Sequence, residues 1–155
     1  MAFYQFKRQQ VIHTDLKTLW DFISSPANLS KITPEGMNFT ITSAGIDKMY
    51  EGMIISYKVN LLPFIKSTWV TEITTIEDQH YFIDTQLIGP YKLWHHQHIL
   101  EQTESGILMT DIVSYCPPLG LLGRIANTLF IKRQLKNIFD YREKKLNQIF
   151  IKPLP

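Results

Sequence analysis

Between Met37 and Tyr115 the chain breaks into six short runs rich in Ile, Val, Thr, Tyr, Phe and Trp, and after them its hydrophobic period changes. The runs cover 37–44, 53–62, 67–76, 81–88, 91–101 and 107–115. Turn residues fill the gaps: Gly45-Ile46-Asp47, Leu62-Pro63, Glu77-Asp78-Gln79, Gly89-Pro90 and Glu104-Ser105-Gly106. Short gaps between successive strands make hairpins, and a series of hairpins is an antiparallel meander. Cys116-Pro117-Pro118-Leu119-Gly120 then ends the ladder, because proline removes donors that a further strand would need. From Leu121 to about Phe150 there is no proline, and the only interior glycine is Gly123 in the first turn. Leu121, Ile125, Leu129, Leu135, Ile138, Phe139, Leu146 and Ile149 trace an apolar stripe there. Lys132, Arg133, Lys136, Arg142, Glu143 and Lys144 lie mostly on the other side. The spacing predicts one helix roughly 45 Å long.

The N-terminal part supplies the remaining elements. Residues 3–12 alternate loosely as a first strand, and Thr14 or Asp15 can cap a helix that carries Leu16, Leu19, Trp20 and Ile23 at helical spacing. Ser24-Ser25-Pro26 ends it, and Pro26 can open a second short helix through Leu29 and Ile32, closed by Thr33-Pro34-Glu35-Gly36. The expected fold is α+β: a seven-stranded antiparallel sheet wrapped around a long C-terminal helix, with two short helices after strand 1. It forms a single domain over residues 1–155. A sheet with one apolar face needs a cover, and the last helix is the only large one. The two short helices can close only one end of the space between them, which predicts a cleft or cavity.

Three stretches carry a family likeness. They are Trp20-Asp21-Phe22-Ile23-Ser24-Ser25-Pro26-Ala27-Asn28-Leu29 with Ile32-Thr33-Pro34; then Trp69 with the run from Phe82 to His98; and last the run from Thr110 to Gly120. The series F-x-D-x-Q, G-P-x-x-x-W-x-H-x-H and D-x-V-x-Y is the most specific part. On these residues the chain resembles the START-like, or SRPBCC, superfamily of helix-grip proteins. More closely, it resembles their small bacterial branch of polyketide-cyclase-like ligand-binding proteins. The likeness runs from Phe3 to Phe150. It implies the helix-grip fold, but it leaves function open, because that superfamily includes carriers, receptors, cyclases, hydroxylase domains and chaperone regulators.

Strands put alternate residues on one face. Phe82, Asp84, Gln86 and Ile88 therefore share a face, as do Trp94, His96, His98 and Leu100, and Met109, Asp111, Val113 and Tyr115. Phe82, Trp94 and Tyr115 offer the larger burial, which turns this face inward. The expected ligand-binding residues are Trp69, Phe82, Asp84, Gln86, Trp94, His96, His98, Asp111, Tyr115 and Phe139. Tyr57, Val59 and Thr71 would continue the lining, and Met37, Met49, Met53 and Met109 could form an adaptable wall. An imidazole beside a carboxylate can anchor a ligand or move a proton, and the plainer reading is a self-satisfied buried network. His-x-His on one strand face is a metal-ligand spacing that Asp84 or Asp111 could complete, but no supporting shell can be read from sequence. No metal and no cofactor are therefore expected.

The charges balance closely, with 16 Lys and Arg against 14 Asp and Glu, and no block of like charge marks a nucleic-acid binder. Cys116 alone can form neither an intramolecular disulfide nor a cysteine metal cage. No signal peptide is read at the N-terminus, and no apolar run approaches the ~20 residues of a membrane span. The expectation is a cytoplasmic protein with a hydrophobic small molecule as partner, no nucleic acid and no stable membrane insertion. The ligand would be a lipid, polyketide, isoprenoid or aromatic metabolite, held as by a carrier or sensor. The alternatives are a cyclase or dehydratase-type enzyme using a His/Asp pair, and a protein-interaction or regulatory module. No specific catalytic motif can be matched, which favours binding over catalysis.

Overall fold

A computed structural model describes residues 2–43, 47–62 and 65–150. Strand β1 (Tyr4–Ile12) is followed by helix α1 (Leu16–Ile23) and two short 3-10 turns (Pro26–Ile32 and Glu35–Met37). Strands β2 (Thr40–Ile41), β3 (Ile54–Leu62), β4 (Ile65–Glu77), β5 (Tyr81–Ile88), β6 (Leu93–Thr103) and β7 (Gly106–Cys116) come next. The chain ends in helices α2 (Gly120–Ala126) and α3 (Lys132–Ile149), joined by a π-helical turn (Asn127–Ile131). The sheet order is β1-β7-β6-β5-β4-β3-β2, and each neighbouring pair is antiparallel. The meander from β2 to β7 is thus as the turn residues predict, and β1 joins its far edge beside β7. Register shifts in β4, between Val70 and Thr71 and between Ile73 and Thr75, bend the sheet in the way bulges do. Among the described residues no helix is long and apolar enough to cross a membrane.

Local chemistry explains the element ends. The Asp15 side chain accepts from the Thr18 backbone N–H at 2.9 Å and caps α1, whose Leu19, Trp20 and Ile23 turn into the core. The run 37–44 yields only the two residues of β2, because Glu35–Met37 forms a 3-10 turn and Asn38 takes a left-handed φ of 45°. Strand β6 starts at Leu93 rather than Tyr91. The Gln86 amide donates to the Tyr91 carbonyl at 2.7 Å and accepts from its N–H, which takes Tyr91 out of the ladder. Ala44 at the end of the run 37–44, Gly45 and Ile46 of the Gly45-Ile46-Asp47 turn, and Pro63 of the Leu62-Pro63 turn lie outside the described residues.

The C-terminal helix corrects the expected stripe. Its inward residues are Gly123, Asn127, Leu135, Phe139, Arg142 and Leu146. Leu121, Ile125 and Leu129, expected in the core, are exposed at 68%, 49% and 59%. One hydrogen bond and one close backbone approach set this phase. The Tyr115 hydroxyl donates to Asn127 Oδ1 at 2.7 Å, and Gly123 lets the first helical turn lie directly against Pro117 and Pro118. The π turn, with its wider i→i+5 spacing, keeps the four-residue steps from 123 to 135 on one side. Arg142 is the second correction: expected on the solvated face, it is buried, with its guanidinium 5.0 Å above the Phe139 ring.

A Cβ at position 123 would stand 2.0 Å from the Pro118 carbonyl oxygen, so backbone must move to admit it. Gly123→Ala is expected to destabilise the fold by about 1–3 kcal/mol, the range for overpacking, read as a lowered urea midpoint. An unchanged midpoint would mean that the helix start is not held against Pro118.

Candidate functional site

A cavity of about 150 Å³ lies between the sheet and α3. Ile55, Ile73, Phe82 and Met109 form its floor on the sheet, and Leu135, Ile138 and Phe139 come from α3. Asn28, Leu29, Ile32 and Thr33, from the Pro26–Ile32 turn and its end, close it from the side, together with Met37, Phe39 and Met49. Of the residues expected from sequence, Trp69, Phe82, Asp84, Trp94, His96, His98 and Phe139 line this cavity, as do Tyr57, Val59, Thr71, Met37, Met49 and Met109. Met53 is buried in the core instead. Gln86 is used in the β5–β6 turn, Tyr115 binds Asn127, and Asp111 sits behind the histidines rather than at the cavity surface. Arg142, which the sequence pattern hid, lines the cavity, as does Gln134.

Aromatic rings make much of the wall. Trp69 stacks on Tyr57 at 6.0 Å and meets Trp94 edge-on at 5.1 Å. Phe82 stacks on His98 at 4.1 Å, and Phe139 meets His96 edge-on at 5.7 Å. Besides His98 Nδ1, two buried N–H groups in this lining, Trp69 Nε1 and Arg142 Nε, have no hydrogen-bond acceptor among the described residues.

The polar cluster follows from strand register. Asp84 on β5 lies opposite His96 on β6, and His98 lies opposite Asp111 on β7. His98 Nε2 donates to Asp84 Oδ2 at 3.0 Å, and His96 Nε2 donates to Asp111 Oδ1 at 2.9 Å. The other nitrogens complete a crossed pattern: His96 Nδ1 is 3.4 Å from Asp84 Oδ2, and His98 Nδ1 is 2.9 Å from Asp111 Oδ1. That last N–H does not aim at the oxygen, so the contact is electrostatic rather than a hydrogen bond. Arg142 NH1 stands 3.9 Å from Asp111 Oδ1.

These neighbours set the protonation states. Burial works against charge on Asp111, but the hydrogen bond from His96 and the close approach of His98 outweigh it and hold the carboxyl well below the usual carboxylate range. Burial likewise opposes charge on Asp84, and the His98 hydrogen bond overcomes it, so its pKa is also lowered. For His98, burial is outweighed by bonding to Asp111 and Asp84, which raises its pKa. For His96, burial and repulsion from His98 prevail and lower it. The surroundings thus favour charge on both carboxylates and on His98 and disfavour it on His96.

No protein-family model and no curated protein matches the chain by sequence. Solved structures match it by shape. TTHA0849 from Thermus thermophilus superposes with a TM-score of 0.73 at 11% identity, over 96% of this chain and 97% of that one. CV1439 from Chromobacterium violaceum gives 0.71 at 13%, over 97% and 99%. Major latex-like protein 151 from Panax ginseng gives 0.71 at 11%, also over 97% and 99%. With its seven-stranded antiparallel sheet around a long C-terminal helix, the chain has the helix-grip fold that these structures share.

Proposed function

We propose that the protein binds a small, ring-sized apolar molecule bearing hydrogen-bond acceptors, held between sheet and helix as by a carrier or sensor. The observation that carries this reading is the pair of buried, unpartnered donors, Arg142 Nε and Trp69 Nε1, set in an apolar and aromatic wall. A buried donor without a partner costs about 1–3 kcal/mol, which a ligand carbonyl, hydroxyl or carboxylate would relieve. The size argues for a ring rather than a full lipid chain: an apolar cavity of 150 Å³ accommodates benzene. Burying about 200 Å² of ligand surface contributes about 5 kcal/mol. A hydrogen bond to the guanidinium adds about 1.5–3 kcal/mol, so dissociation constants on the order of 10 µM are expected.

Quenching of Trp69 and Trp94 fluorescence by a panel of benzene, phenol, benzoate and acetophenone tests this. Saturable quenching is expected for the three acceptor-bearing rings, with benzene weaker by about tenfold or more. Absence of saturable quenching by any of them up to about 1 mM, weaker than the affinity estimated above, would overturn the reading.

His98 supports a second reading, proton-transfer catalysis, because it combines a charge-favouring environment with a place on the cavity wall. Turnover of a bound ring ketone that His98→Gln abolishes while binding persists would decide for it.

A further inference from the structure

We propose that Asp84, His96 and His98 form a binding site for a divalent first-row transition-metal ion that opens onto the cavity. One donor atom from each residue lies within 4.8 Å of the other two. Two of the three separations already suit a coordination shell. Asp84 Oδ2 is 3.0 Å from His98 Nε2 and 3.4 Å from His96 Nδ1. Ligands held at about 2.0–2.2 Å from one ion stand about 2.9–3.4 Å apart in tetrahedral or octahedral arrangements. The two imidazole nitrogens complete the set within 4.8 Å of each other.

The surroundings make this more than a coincidence of polar groups. A metal-bound histidine usually offers its second nitrogen to a carboxylate, which fixes the tautomer and ring orientation. Here His96 does so, donating from Nε2 to Asp111 Oδ1 at 2.9 Å, and His98 Nδ1 lies at the same distance from that oxygen in an electrostatic contact. With its N–H on Asp111, His96 presents its Nδ1 lone pair toward Asp84, and the metal ion would replace the proton that His98 Nε2 gives to Asp84. Arg142 NH1, 3.9 Å from Asp111 Oδ1, helps to balance its charge. Phe82 against His98 and Phe139 against His96 limit ring motion. Asp84, His96 and His98 all face the cavity, so the remaining coordination positions point into it. Two imidazoles and one carboxylate suit Zn²⁺, Fe²⁺ or Co²⁺ rather than Ca²⁺ or Mg²⁺. Sequence spacing supplied the His-x-His pair with Asp84 or Asp111 as its complement; the fold puts Asp84 beside the cavity and Asp111 behind the histidines.

The site is independent of the small-molecule reading and is tested with metal alone. The full chain is freed of metal with a chelator and titrated with Co²⁺ near neutral pH, following visible d–d bands and, in parallel, retention of Zn²⁺ in equilibrium dialysis. One equivalent per chain is expected, and X-ray absorption of the Zn²⁺ form should report two imidazoles. His96→Ala and His98→Ala are each expected to weaken binding at least a hundredfold, on the order set by losing one of three ligands. Asp111→Asn should weaken it about 10–100-fold. His95→Ala, next in the chain but on the opposite face, should bind as the wild type does. If a histidine variant does not fold, Asp84→Asn replaces it, and the wild-type titration stands by itself. Absence of d–d bands and of Zn²⁺ retention, a shell without two imidazoles, or equal loss in His95→Ala would overturn the proposal.

Discussion

Asp111→Ala is expected to cost about 3–5 kcal/mol of folding stability in metal-free protein, the range for removing one partner of a buried ion pair. Asp111 is 2% exposed and gathers His96, His98 and Arg142 around one oxygen. Without it, the charge on Arg142 and His98 is left to Asp84 alone in a medium that solvates charge poorly. A half-buried cluster at the surface gives the contrast. Arg8 binds Asp140 and Glu143 across the surface between β1 and α3, and Asp140→Ala should move the urea midpoint little, because solvent screens such pairs. The pH dependence carries a definite sign. Asp111 has a folded pKa below its unfolded value, so its contribution is full above the unfolded pKa of about 3.9 and fades as pH falls toward the folded value. The gap between wild type and Asp111→Ala in urea melts should therefore be widest near neutrality and narrow below pH ~4. A variant within about 1 kcal/mol of wild type at pH 7 would show that the cluster is not an ion-paired network.

Much of this cluster was legible before any coordinates, for a simple reason. The period-2 rule together with short hairpin loops determines both which residues share a face and which strands are neighbours. Asp84, His96, His98 and Asp111 follow from that arithmetic, and the register of β5, β6 and β7 brings them together. The helix was less legible, because its phase depends on single local contacts. Asn127 beneath the Tyr115 hydroxyl and Gly123 against Pro118 turn the first helical segment so that its leucines face outward. The same rotation is invisible to a count of apolar residues, and so was the inward turn of Arg142. The Pro26–Ile32 wall of the cavity was out of reach for another reason. A 3-10 segment has no long apolar period, so nothing in its residues says which of Asn28, Leu29 and Thr33 face a ligand. Cavity volume is harder still, being a small difference between large packed volumes.

That volume makes Ile138→Trp an informative single change. Ile138 is half-buried on α3 and lines the cavity, so a larger side chain can grow into the open space without displacing packed core. The indole would exclude about 100 Å² of the contact available to a ring-sized ligand, a loss of about 2.5 kcal/mol. Binding in the fluorescence titration should weaken between tenfold and a hundredfold, while the thermal midpoint stays the same or rises as the void fills. The opposite experiment discriminates further. Leu135→Ala on the same helix face enlarges the cavity, and it should cost about 2–5 kcal/mol of stability while admitting larger rings than the wild type. Two responses of opposite sign from one helix face locate the ligand between helix and sheet. Unchanged affinity in Ile138→Trp, with the fold intact, would place binding on another surface, and the unpartnered donors of Trp69 and Arg142 would then need a different account.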